Sequence, residues 1–192
     1  QIENAGFSHS VIRRNAFKNA TPRLSLRVVT SPPYINSNLY VENEFEDLSA
    51  SGTFMDIRDD HDSTFARNTI KIGNAVLAIW DCVRMDIRDN LFQSTSDLQI
   101  DFWHPTKHTI RNNVFDNSKH VSNFAPLRFN AGSECLVTGN VYRLAPGGNR
   151  GVYLDGTGVN HVVTDGNYDA ALGGVTTFSG YVVDRSPDGG SF

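Results

Sequence analysis

Thiols, long apolar runs and excess positive charge are all scarce in this chain of 192 residues. Its two cysteines, Cys82 and Cys135, cannot make a disulfide-rich scaffold. They also lack a Cys-x-x-Cys spacing, which argues against a zinc site. No stretch approaches 18 apolar residues, and no basic-then-apolar signal opens the chain, so nothing here inserts into a membrane as a helix. Lys and Arg total 17 against 21 Asp and Glu, a net charge of −4, so no basic field exists to coat nucleic acid or an acidic bilayer. Helical periodicity is missing too: no window of 11 or more residues repeats convincingly at 3.6. No glycine-rich phosphate loop precedes a helix, and no nucleophile elbow occurs. The chain begins at Gln1 in strand-like sequence, which reads as part of something longer.

What the chain has in abundance is asparagine, 18 residues against two each of Met and Trp. Six of these fall in one recurring phrase: an apolar residue, two variable residues, Asn, any residue, then an aromatic or aliphatic one. The copies are Ile12–Phe17, Tyr40–Phe45, Phe65–Ile70, Ile87–Phe92, Ile110–Phe115 and Val137–Tyr142, with Asn15, Asn43, Asn68, Asn90, Asn113 and Asn140 at their centres. Successive Asn lie 28, 25, 22, 23 and 27 residues apart. A degraded seventh copy reads through Val163, Gly166 and Tyr168. A second phrase lies upstream of the Asn, its third residue 11 positions before it: Met55–Arg58, Leu77–Trp80, Ile100–Trp103 and Leu127–Asn130, continued by Val152–Asp155. Its alternation is that of half-buried strands.

Short strands every 25 residues or so, with no helix between them, predict an all-β solenoid. Specifically, the expectation is a single-stranded right-handed parallel β-helix of about seven coils over 1–170, with a terminal coil or cap and Gly-rich tail over 171–192. One coil cannot bury its own apolar side, whereas coils stacked at ~4.8 Å pair every strand with its equivalents above and below. Ile12, Tyr40, Phe65, Ile87, Ile110 and Val137 then form one inner stack, and the series from Phe17 to Tyr142 a second. The Asn sit at the bend between them, where they tolerate a left-handed backbone and bond the like amide one coil away. Pro32-Pro33 lengthens the first connection into a loop.

The phrase Ile110-Arg111-Asn112-Asn113-Val114-Phe115 and its repetition resemble right-handed parallel β-helix proteins of the pectate-lyase-like superfamily, over about residues 1 to 170. Asp59-Asp60-His61 faintly resembles the paired aspartates of polygalacturonases, but the other motifs of that family and of alginate epimerases are missing. What remains is most similar to the β-helix part of phage tailspike depolymerases. That resemblance implies a polysaccharide substrate, an extracellular or virion-surface location and a homotrimer, and it implies no cofactor.

Registering the second phrase on the Asn places Asp56, Ala78, Asp101, Arg128 and Tyr153 in one outward column. Arg58, Trp80, Trp103, Asn130 and Asp155 form the neighbouring one, with Asp59, Asp81 and His104 just past the strand. Both tryptophans therefore share a column on consecutive coils, and an exposed pair of indoles asks for a partner such as sugar rings. Asp81 and Asp101 are the first candidates for catalytic acids, with Asp56 and Asp59 behind them. Asp59 and Asp81, one coil apart, have a separation suited to retaining glycoside cleavage, and Asp56 and Asp101, two coils apart, are within reach of an inverting pair. Arg58 and Arg128 are expected to hold an acidic sugar's carboxylate, and His104 to orient substrate or relay a proton. No metal site is expected at His61 among its acids, and His108 reads as a core histidine. Arg13, Arg14, Arg88 and Arg111, mixed with Glu42 and Asp89, read as a salt-bridged face. The expectation is thus a glycoside hydrolase acting on a bacterial surface glycan. The alternatives are a non-catalytic structural or receptor-binding spike or adhesin, and a polysaccharide lyase.

Overall fold

The computed structural model describes residues 3–4, 9–18, 24–28, 37–94, 100–116, 126–130, 134–143, 152–155, 162–169, 174–175, 178–179 and 182–184, several of these strands by backbone alone. The Pro32-Pro33 connection and Gly189-Gly190 lie outside them. Among the described residues there is no helix, and the strands form a parallel β-solenoid. One sheet of 8 strands runs from Val11–Arg13 through Thr64–Ala66 and Asp86–Arg88 to Val182–Asp184. A second sheet holds 14 strands, unified by the long Glu44–Arg58 and Thr69–Trp80. Among the described residues, the one antiparallel strand pairing is that of Tyr168–Asp169 with Gly174–Val175. Counting repeats gives about seven coils. About four, between Ser37 and Glu134, are described around nearly their whole circuit, and strand pairing continues the stack on both sides of them.

A turn of the solenoid has three corners. From Thr64–Ala66 the chain bends at Arg67 and Asn68, follows Thr69–Trp80, and bends at Asp81 and Cys82. It then makes a single parallel bridge at Val83 and bends again at Arg84 and Met85. Each corner opens with a left-handed residue. The first corner uses Arg14, Glu42, Arg67, Asp89, Asn112, Gly139 and Gly166, the second Asp59, Asp81 and His104, and the third His9, Ser37, Asp62, Arg84, Lys107 and Glu134. A left-handed non-glycine residue costs roughly 1–2 kcal/mol. What offsets it is that the amides of most such residues stay in the interturn ladder: Arg67 N–H donates to the Arg88 carbonyl at 3.1 Å and Asp81 N–H to that of Trp103 at 3.0 Å. The left-handed residue points its side chain out, and its successor points in.

That successor at the first corner is the repeated asparagine. The backbone N–H groups of Asn43, Asn68, Asn90, Asn113 and Asn140 each donate to Oδ1 of the next asparagine at 2.8–3.0 Å. Each Nδ2 donates to that same oxygen and also to a carbonyl of the preceding turn, as Asn90 does to Phe65 at 2.9 Å. The ladder corrects two expectations. The left-handed residue is the one before the asparagine, so the amide's role is to accept the corner N–H. The seventh member is Asn167, not Gly166, since Asn167 Oδ1 receives the Asn140 N–H and Gly166 takes the left-handed place at φ +59°. At Gly139 the left-handed φ is joined by close packing, because a Cβ there would stand 2.6 Å from Asn112 Oδ1.

The two expected inner stacks are present. Tyr40, Phe65, Ile87, Ile110 and Val137 are buried in one, Phe45, Ile70, Phe92, Phe115 and Tyr142 in the other, with Ile12 and Phe17 partly buried at the end. Parallel registers make like residues touch: Phe92 and Phe115 stack with centroids 5.0 Å apart, Phe115 and Tyr142 at 5.3 Å. The salt-bridged face is also as expected, with Glu42 holding Arg13, Arg14 and Arg67 and Asp86 holding Arg88 and Arg111. Hydrogen bonds from Arg13 and Arg14 hold the Glu42 carboxyl down at about 2. The cysteines sit at different corners, both buried and unbridged.

Other corners use other acceptors. His108 is buried as expected, and its Nδ1 accepts the Met85 N–H at 3.2 Å. Burial, with His61 nearby, pushes the imidazole down to about 3. Because the unfolded chain protonates this histidine near 6.5, its contribution to stability is complete above that pH and is lost as pH falls toward about 3. Urea unfolding at stepped pH should therefore show a loss approaching 1.4 kcal/mol per unit below pH ~6 from this group, which His108→Gln removes; an unchanged slope in that variant contradicts the assignment. In the ladder, Asn90→Ala strands the buried N–H groups of Asn68, and should lower unfolding free energy by about 3 kcal/mol. Tyr142→Phe is the contrast. Its buried hydroxyl has no hydrogen-bond partner among the described residues, so stability should change by less than ~1 kcal/mol or rise.

Candidate functional site

The strand from the second phrase to its corner carries the candidate residues, and its pairing fixes their columns. Asp56 pairs with Ala78, Ala78 with Asp101, and Asp101 with Arg128. Arg58 pairs with Trp80, Trp80 with Trp103, and Trp103 with Asn130. Both columns have the order expected from the sequence. At the corner beyond, Asp59, Asp81 and His104 are all left-handed, with φ of 54°, 52° and 50°. For Tyr153 and Asp155 only the backbone is described.

The indoles of Trp80 and Trp103 stack with centroids 4.6 Å apart and planes 2° from parallel, both half-buried. Arg58 closes the stack, its guanidinium carbon 4.9 Å from the centre of the Trp80 ring. A cation over an indole face is attracted by the ring quadrupole, by about 1 kcal/mol at a partly exposed site. Trp80 therefore has a partner on each of two contacts along the solenoid axis, and what it turns outward is ring edge.

The four carboxylates separate into two kinds. Asp101 is buried and accepts four hydrogen bonds: from Trp103 Nε1 at 2.9 Å, from Arg128 Nε and Nη2, and from Asn130 Nδ2 at 2.7 Å. Asp56 is buried as well, its Oδ2 taken by Arg58 Nε at 2.7 Å. Asp81 is exposed, and its Oδ1 lies 2.9 Å from His104 Nδ1. That contact leaves the far nitrogen, Nε2, for proton transfer or for a ligand. Asp59, one turn below Asp81, is half-exposed. Asp101 is thus a hub that orients Trp103, Arg128 and Asn130, while Asp81 and His104 form a dyad facing solvent.

The structure adds what the columns alone did not give. Arg58 and Arg128, expected to hold a substrate's carboxylate, are engaged with Asp56 and Asp101. Asn130 is a third donor to Asp101 that carried no signal of its own. The signal for the pairing was there: Asp-x-Arg at Asp56 and Asp86 and Asp-x-Trp at Asp101 put acid and donor two residues apart on one face of a strand. Of the sequence around His61, Asp60 turns inward and is fully buried. It receives bonds from Ser63, Tyr40 and Asn38, and burial raises its carboxyl above the usual range despite them. Asp62 turns outward to Arg84. Among the described residues no three His, Cys, Asp or Glu converge as for a metal ion.

Stacked indoles should be coupled in energy: a double-mutant cycle of Trp80→Ala and Trp103→Ala on unfolding free energy should show an interaction of about 0.5–1.5 kcal/mol. Strictly additive losses contradict the stack. Comparison of the chain with protein-family models, with curated proteins and with solved structures finds no match.

Proposed function

We propose that this face binds a bacterial surface polysaccharide and hydrolyses it. The observation that carries the reading is a half-buried pair of indoles held in register on consecutive turns beside an exposed acid–imidazole dyad. The stacked edges give a flat apolar strip, and Asp81 and His104 offer an acceptor and a proton carrier next to it. The finer likeness to the pectate-lyase-like superfamily and to tailspike depolymerases supports the same reading, and carries with it a virion-surface or otherwise extracellular homotrimer. It rests on the fold, which hosts many activities.

In this proposal Asp81 is the reacting carboxylate. Asp59, one turn away at ~4.8 Å along the axis, is the second, a separation near that of retaining glycosidases. Asp59 attacks the anomeric carbon as Asp81, protonated by way of His104, gives its proton to the departing oxygen; water then releases the sugar from Asp59 and returns a proton to Asp81. Asp101 is a positioning residue, because its oxygens are occupied by Trp103, Arg128 and Asn130. A second reading, binding without cleavage, is favoured by one observation: Arg58 and Trp103 pack against Trp80, so a sugar meets ring edges rather than an open aromatic face.

The chain's tryptophans are only Trp80 and Trp103, so selectively excited tryptophan emission reports on the site alone. A panel of capsular and O-antigen polysaccharides should contain one that changes this emission and yields new reducing ends. Asp81→Asn should lower their release at least ~100-fold while the emission change persists. Emission change without reducing ends supports the binding-only reading, and unsaturated products absorbing in the ultraviolet indicate a lyase. Full activity in both Asp81→Asn and Asp101→Asn rejects this site.

A further inference from the structure

We infer that the polysaccharide taken by this face carries no acidic substituents; the inference rests on the glycan reading above and narrows it. Four carboxylates (Asp56, Asp59, Asp81, Asp101) stand on this face against two guanidiniums (Arg58, Arg128). Distribution matters more than the sum. Arg58 donates to Asp56 while lying over Trp80, and Arg128 grips Asp101 with two nitrogens. These partner acids are almost wholly covered, their side chains 4% and 8% exposed, so each cation is neutralised from beneath and held in place. The Asp81 side chain, by contrast, is 54% exposed. Of these six groups, the one turned most to solvent is therefore the Asp81 carboxylate.

An anionic group brought to ~4 Å from Asp81 meets a repulsion of about 1 kcal/mol in bulk water and several times that near a protein surface. To recruit Arg128 it must compete with a bidentate carboxylate already in place. Freeing Arg58 also gives up its contact with the indole. Sugar hydroxyls have no such difficulty. Carboxylates only accept, and Oδ2 of Asp81, the oxygen not taken by His104, suits a sugar hydroxyl as donor. The arginines that do crowd together, Arg13, Arg14 and Arg67 around Glu42, belong to another corner of the turn.

The test is a tryptophan-emission titration of the full chain with acidic capsular polysaccharides, each beside its carboxyl-reduced form, and with neutral O-antigens. Neutral and carboxyl-reduced polymers are expected to supply the binders, with each native acidic polymer at least tenfold weaker than its reduced form. Asp59→Asn/Asp81→Asn, checked for an intact fold by circular dichroism, should narrow that gap severalfold. An acidic polymer that binds better than its reduced form overturns the inference and leaves glycan binding standing. Failure of every polymer, acidic, reduced and neutral, overturns the glycan reading together with it.

Discussion

The structure depends on how the chain turns a corner without losing a backbone hydrogen bond. At most of the described bends the left-handed residue keeps its N–H in the ladder to the next turn. The following N–H points toward the interior, where water cannot reach it. At most bends a side chain from the next turn meets it: asparagine Oδ1 at the first corner, Ser63 Oγ or His108 Nδ1 at the third, and Cys82 Sγ at the second; at Pro105 there is no N–H to satisfy. An inward donor left alone would cost about 1–3 kcal/mol at every corner of every turn, a sum no domain of this size could carry against a net stability of 5–15 kcal/mol.

The same alternation displays the candidate site. Because the left-handed residue faces out and its successor faces in, Asp81 and His104 are presented at the surface while Cys82 enters the core. Parallel pairing then stacks like on like. Inside, this makes ladders of phenylalanine; outside, it brings Trp80 onto Trp103 and sets Asp81 beside His104. A chemical arrangement spread over more than twenty residues of sequence thus becomes local along one axis. The indoles are rigid because each is held through its neighbours: Arg58 on Asp56 at one end, and Asp101 on Trp103 Nε1 at the other.

Much of this was legible from spacing alone. A fixed Asn register predicts the parallel solenoid, the two inner stacks and the outward columns, since period-two alternation and parallel pairing leave little freedom once the repeat is aligned. The misplacement of the seventh copy on Gly166 has a simple cause: the true register puts Thr164 and Asp169 where the other copies carry apolar residues, so aligning Val163 and Tyr168 instead shifts the phrase by one. What spacing does not reveal is how outward side chains divide one another's hydrogen bonds. Asp56 and Asp101 were correctly placed on the outer face, yet long neighbours fold over them and bury both. Asp81 stays open because it lies past the strand, at a corner. No alternation pattern separates these two fates.

Two indole N–H groups make the central claim directly observable by nitrogen-15 NMR. That claim is that Trp80 and Trp103 form one surface unit which meets the glycan. On titration with an oligosaccharide cut from a polymer that binds, both indole cross-peaks should move together, and the Trp103 peak, bonded to Asp101, should remain protected from hydrogen exchange. An oligosaccharide that binds the protein while neither indole resonance shifts would contradict it.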